Sequence, residues 1–167
     1  MVISLTGFMG CGKSSCGKEL ARLLHTQVID LDAEIVRRSN CTIPQIFERG
    51  GEQLFRETEF ETLGRILEEC NGDSDVILAL GGGAITYEPT RKLVLDKTRC
   101  VYLRTSMDTI RKRIGESDPS RPLFKDATAA EKLYISRIPI YEQAPIAVDT
   151  DERSPLEVAE AIIKKIG

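Results

Sequence analysis

Apolar runs alternate with amphipathic stretches from end to end of this 167-residue chain. Val2 to Leu5 is a short run of buried-strand type, and from Lys13 onward Leu20, Leu23 and Leu24 recur at helical spacing. Val28-Ile29 predicts a second strand ending at Asp30, followed by a helix from Asp32 to Val36 with its acids in the first turn. Thr42-Ile43-Pro44 reads as a helix start, with Thr as N-cap and Pro early in the first turn. Gly50-Gly51 interrupts that helix, and a long charged helix follows through Leu63, Ile66 and Leu67. Asn71-Gly72-Asp73 predicts a turn, and Val76 to Leu80 the most apolar strand of the chain, ending on Gly81-Gly82-Gly83. A helix near Arg91 to Leu95 precedes the strand Cys100 to Leu103, and a further helix spans Thr109 to Ile114. Residues 115–125 are polar with two Pro and suggest a mobile loop. A helix from about 127 to 143, the strand Ile146 to Val148 and a helix capped by Ser154-Pro155 complete the chain. Strands separated by helices at this spacing predict an α/β fold, a parallel sheet covered on both faces.

Composition bounds the reading without deciding it. The length suits one domain over 1–167, with 41% apolar and 29% charged residues. A net charge of -3 offers no global field for a nucleic-acid backbone or an anionic membrane. An anionic substrate must then be caught by locally placed Arg and Lys. No run approaches the roughly 20 apolar residues that span a bilayer. The N-terminus lacks a basic start and runs straight into the first motif, so the expectation is a cytoplasmic protein without a cleaved leader. Five Cys without a CxxC and a single His, His25, give no zinc-like spacing, so reduced thiols and a helix-terminal His are expected.

The chemistry starts at Gly7-x-x-x-x-Gly12-Lys13-Ser14, which follows a strand and opens a helix. Glycines let backbone N–H groups turn inward around phosphate oxygens, and the helix presents its positive end to the same anion. Lys13 is placed to bridge terminal phosphates and Ser14 to give a hydroxyl oxygen to Mg²⁺, which makes ATP the expected co-substrate. Asp30-x-Asp32 stands at a strand end facing the ligand crevice. Alternation along an extended segment would put both carboxylates on one side, one for metal-bound water and one for a substrate hydroxyl; equally, Asp32 could simply cap the next helix. Gly81-Gly82-Gly83 carries no metal-holding acid after the central strand, which makes Asp30 the better metal partner. Three glycines expose backbone N–H groups to a substrate, although a plain strand-to-helix turn would also use one or two. Of Arg56, Arg113, Arg121, Arg137 and Arg153, any one alone is an ordinary surface charge; Arg121 gains interest from its Pro-flanked loop, which could close over the phosphates and exclude water.

Together these motifs resemble shikimate kinases, in the nucleoside-monophosphate-kinase-like branch of P-loop proteins. The resemblance runs over essentially the whole chain. It rests on Gly-Phe-Met-Gly-Cys-Gly-Lys-Ser at 7–14, Asp30-Leu-Asp32, Ile46-Phe47, Gly51-Glu52, Phe55-Arg56, Leu80-Gly-Gly-Gly-Ala84, Arg121-Pro-Leu123, Arg137-x-x-x-Tyr141 and Val148-Asp-Thr150. It implies transfer of the γ-phosphoryl of ATP to the 3-hydroxyl of shikimate, on the route to chorismate and aromatic amino acids. It also implies a three-layer P-loop fold with a five-stranded parallel sheet in order 2-3-1-4-5. A phosphate loop at 7–15, a substrate-binding subdomain at about 31–62 and a lid at about 115–126 would belong to it. Lys13, Asp32 and Arg121 are then the catalytic residues, and Gly10, Cys11, Gly12, Lys13, Ser14, Ser15, Arg113, Arg121 and Arg153 bind ATP. Asp32, Arg56, Gly81, Gly82, Gly83 and Arg137 hold shikimate, with Ser14 and Asp30 on Mg²⁺, the latter through water. The family default is a monomer whose partners are its small-molecule substrates.

Cys11 and Cys16 depart from the family pattern, and a thiol at a helix N-terminus suggests sensitivity to peroxide. Competing readings are a gluconate kinase, a nucleoside monophosphate kinase, and a nucleotide-dependent regulator without catalysis.

Overall fold

The computed structural model describes residues 1–70, 75–115 and 126–167. The predicted turn at 71–73, most of the expected lid, and Arg121 lie outside the described residues. Five parallel strands, β1 (Val2–Thr6), β2 (Gln27–Asp30), β3 (Val76–Ala79), β4 (Arg99–Arg104) and β5 (Ile146–Asp149), form one sheet in the order β2-β3-β1-β4-β5. This is the expected order. β1 lies at the centre, with Ile3 opposite Ile77 on one side and Arg99 on the other.

Among the described residues, seven α-helices cover the sheet: α1 (Lys13–Leu23), α2 (Leu31–Ser39), α3 (Ile43–Glu69), α4 (Glu88–Lys97), α5 (Met107–Gly115), α6 (Ala127–Tyr141) and α7 (Pro155–Ile166). Strand alternation divides the core in two. Ile3, Leu5, Ile77, Val101 and Leu103 pack against Cys16 and Leu20 of α1 and Val158 and Ile162 of α7. Leu78, Leu80, Cys100 and Tyr102 face the other way, onto Leu31, Leu63, Val94, Ile110 and Tyr141. Each such fully buried aliphatic side chain contributes about 1.5–3 kcal/mol. Among the described residues, no helix is long and apolar enough to cross a membrane.

Local signals set the helix ends. Thr42 accepts from the Gln45 N–H, Gln45 accepts from the Thr42 N–H, and Pro44 sits in the first turn, so α3 starts as expected. The predicted interruption is present: Gly51 (φ 67°, ψ -162°) is non-helical, so α3 is two helical segments joined at a kink. Ser154 and Glu157 form the same reciprocal cap on α7. His25 follows the end of α1 with φ 52°, the helix-terminal place expected of it. Because all strands are parallel, their carboxyl ends share one edge, and there the Gly7–Gly12 loop, the start of α2 and the Gly81–Gly83 turn meet.

Candidate active site

The phosphate loop joins β1 to α1 and must turn within six residues. Gly7 has φ 146°, and a Cβ there would meet Cys11 Sγ at 2.8 Å and the Leu103 carbonyl at 2.9 Å, so only glycine fits. Lys13 Nζ reaches back over the loop and donates to the carbonyls of Gly7 (2.7 Å) and Phe8 (3.1 Å). No acid occupies the first turn of α1, so the positive end of that helix is kept for an external anion. Ser14 and Ser15 are exposed in that turn, and Ser14 lines the cavity described next.

A cavity of about 540 Å³ opens over the loop, with Lys13, Ser14, Asp30, Asp32, Gly81 and Gly82 in its wall. The two carboxylates arrive there by a route other than strand alternation. Asp30 ends β2 and is itself the N-cap of α2, its Oδ1 accepting from the Ala33 N–H at 3.0 Å. Asp32 already lies in the first turn of α2, since the backbone turns helical at Leu31. The cap expected as the alternative role of Asp32 is thus filled by Asp30. Asp32 leans on the glycine turn, where a Cβ on Gly81 would lie 3.0 Å from its Oδ1. Burial raises the Asp32 pKa, the Asp30 charge adds to the rise, and the Lys13 and Arg56 cations pull it back.

Two guanidinium groups converge beyond Gly82. A Cβ built on Gly83 would overlap Arg56 Nη2 and lie 3.1 Å from Arg137 Nη2, so absence of a side chain lets both reach this point. Arg56, from α3, is held at 2.8 Å by Glu59 Oε1 one helical turn on. Glu59 is completely buried, and burial lifts its pKa to about 6 against the pull of Arg56. Arg137, from α6, lies over the Phe8 ring, 5.7 Å from its centroid. One turn further along α6, the Tyr141 hydroxyl donates to the Gly82 carbonyl.

The remaining predicted residues lie on the other side of the loop. Arg113 donates to the carbonyls of Cys11 (3.0 Å) and Thr150 (3.3 Å). With Arg153, Cys11, Gly12 and Ser15 it borders a second cavity of about 200 Å³. Cys11 is 1% exposed and Cys16 is 2% exposed. The Cys16 thiol is pushed up to about 12, by burial first and then by Cys11. Ready attack by peroxide at Cys11 is therefore not what this packing gives: the thiol is shut away beneath Gly7.

Sequence reasoning passed over Glu59 and gave Tyr141 no role. The signal for Glu59 was present: with Phe55 and Leu63 it continues an apolar stripe of α3 at four-residue spacing. A glutamate in such a stripe has to find a buried partner.

Comparison with known proteins bears on the same residues. A sequence model of the family described as shikimate kinase matches residues 9–167. The shikimate kinase of Thermus thermophilus is 40% identical over 167 residues, spanning 98% of this chain and 89% of that protein. The structure of the shikimate kinase of Acinetobacter baumannii in complex with shikimate aligns with a TM-score of 0.86 at 34% identity, over 99% of this chain and 92% of that one. A gluconokinase from Sinorhizobium meliloti aligns with a TM-score of 0.62 at 17% identity, a likeness of fold alone.

Proposed function

The chain belongs to the shikimate kinase family, and from that premise we propose how its residues transfer the γ-phosphoryl of ATP to the 3-hydroxyl of shikimate. The observation that carries the reading is the convergence of Arg56 and Arg137 at Gly83, with Asp32 beside Gly81 and Lys13 across the same cavity. Two guanidinium forks suit one carboxylate, and the acid beside them suits ring hydroxyls. A small hydroxylated carboxylate fits both demands, with the phosphate loop adjoining.

Shikimate binds with its carboxylate between Arg56 and Arg137, over the backbone of Gly81, Gly82 and Gly83. The segment of about 31–62, which supplies Asp32 and Arg56, acts as the substrate-binding part of the domain. ATP lays its phosphates along Gly10 to Ser15, and its base enters the smaller cavity between Arg113 and Arg153. Lys13, now resting on the Gly7 and Phe8 carbonyls, exchanges these for the terminal phosphates as they arrive. Asp32 accepts the proton of the attacking hydroxyl, and its raised pKa brings it nearer to the working pH than an exposed Asp would be. Little covalent chemistry is asked of the protein, since positioning and charge neutralisation dominate phosphoryl transfer.

The donor set fits magnesium. The Ser14 hydroxyl and the Asp30 carboxylate are hard oxygen donors in the wall of one cavity, and magnesium at phosphate sites takes one or two protein oxygens with water and phosphate for the rest. The chemistry such an ion supplies when bound is neutralisation of charge on the terminal phosphates.

ADP release by the purified protein, measured with Mg²⁺-ATP and shikimate, gluconate or AMP in turn, tests the reading. Turnover with shikimate alone is expected. Comparable kcat/KM for gluconate or AMP would overturn it.

A further inference from the structure

Three consecutive glycines create a difficulty for a site that relies on backbone donors. Glycine tolerates either orientation of its peptide planes, and a flipped peptide presents a carbonyl oxygen where an N–H is wanted. Something must hold the Gly82–Gly83 peptide one way round. The α6 helix supplies it. Tyr141 is 0% exposed, its ring stacked on Tyr102 of β4 with centroids 5.2 Å apart, and its hydroxyl donates to the Gly82 carbonyl. The donor role is secure, because burial pushes the phenol well above its ordinary range despite the pull of Arg137.

The peptide is trans, so its N–H, that of Gly83, points away from its own carbonyl and hence away from Tyr141. Tyr141 comes from the core, whereas Gly82 lines the cavity. Gly83 is also where the Arg56 and Arg137 guanidiniums meet. We propose that Tyr141 is a positioning residue for the acceptor: it fixes the Gly82–Gly83 peptide so that the Gly83 N–H is presented as a third donor to the anion held by Arg56 and Arg137. Arg137 and Tyr141 stand four residues apart on one face of α6, so a single helix sets both a guanidinium and a backbone donor.

The inference rests on the acceptor reading above, and the test separates the two. Tyr141→Phe keeps the ring on Tyr102 and removes the hydroxyl. In the wild type, kcat/KM for shikimate is compared with that for its methyl ester, which has the same hydroxyls and no anionic group. In the variant this ratio is expected to fall about tenfold, the scale of one hydrogen bond to a charged group, with KM for ATP unchanged. A purely structural role would lower both substrates by one factor and leave the ratio alone; that result overturns the proposal. Failure of the wild type to phosphorylate shikimate would instead overturn the acceptor reading. A measurement on the wild type covers the case in which the variant does not fold. With ¹⁵N-glycine labelling, the Gly83 amide proton is expected to move downfield on addition of shikimate and to move less with the methyl ester. No difference between the two ligands overturns the proposal.

Discussion

Replacing Glu59 with Gln is expected to give a more stable protein and a poorer enzyme. Glu59 is 0% exposed. One of its oxygens accepts from Arg56, while Oε2 has no hydrogen-bond partner among the described residues. Burial raises its pKa from 4.5 to about 6, with Arg56 opposing the rise and Asp32 adding to it. The folded chain therefore binds this proton more tightly than the unfolded chain does. Stability must then fall as pH rises from 4.5 to about 6, and stay level above that. A rise of this size is worth about 2 kcal/mol. Gln stands in for the protonated acid at every pH, so the variant escapes that loss. Its expected advantage is about 2 kcal/mol near pH 7.5, shrinking towards zero near pH 4, where both chains are neutral at this position. Urea unfolding followed by circular dichroism at these two pH values measures the difference. The amide oxygen still accepts from Arg56 but brings no charge, so Arg56 is held less firmly and KM for shikimate should rise. A variant less stable than wild type near pH 7.5 would refute this account of Glu59, as would a gain that ignores pH.

The other expectations concern the cavity wall. Asp32→Asn should cut kcat strongly with ADP affinity little changed; a loss of threefold or less, under about 1 kcal/mol of barrier, would remove Asp32 from the proton-accepting role. Lys13→Met should lower kcat by about a thousandfold, the scale lost with a charge aimed at the transferring group, while circular dichroism shows an intact fold. In Gly83→Ala the new methyl overlaps Arg56 Nη2, which Glu59 keeps from moving aside. KM for shikimate should rise about tenfold or more, as if one charged contact were lost, with KM for ATP unaffected.

Most of the scaffold was legible because its signals are periodic and local. The run Val76-Ile-Leu-Ala announces a strand buried on both faces, and Thr42-x-x-Gln45 announces a helix start from its own side chains. The Gly7–Ser14 loop is legible for the same reason, as its conformation is written in adjacent residues. Roles that depend on where one element stops were less secure. The capping role open to Asp32 fell to Asp30 because the strand gives way to helix at Leu31, before alternation can extend to Asp32. Least visible were contacts between distant segments. Tyr141 and Gly82 are 59 positions apart, and no local pattern pairs a helix-terminal tyrosine with a glycine carbonyl. Glu59 lies near its partner in sequence, yet Arg56-x-x-Glu59 looks like any exposed i,i+3 pair until the burial of the carboxylate is known. Cys11 misled in a similar way: its place at a helix N-terminus is local, but the packing of Gly7 that shuts it in is not.

The central position of β1 has a consequence for the order in which the protein is made. β1 and the phosphate loop leave the ribosome before either flanking strand, and Ile3 finds its partners in Ile77 and Arg99. β3 is complete only at Ala79, close to half-way along the 167 residues, and β4 only at Arg104, so loop-closure entropy must be met before those pairings form. The phosphate loop is thus translated well before the strands that fix it in place. A nascent chain halted before β4 should be unable to retain ATP, and retention should require synthesis through Arg153, which borders the smaller cavity.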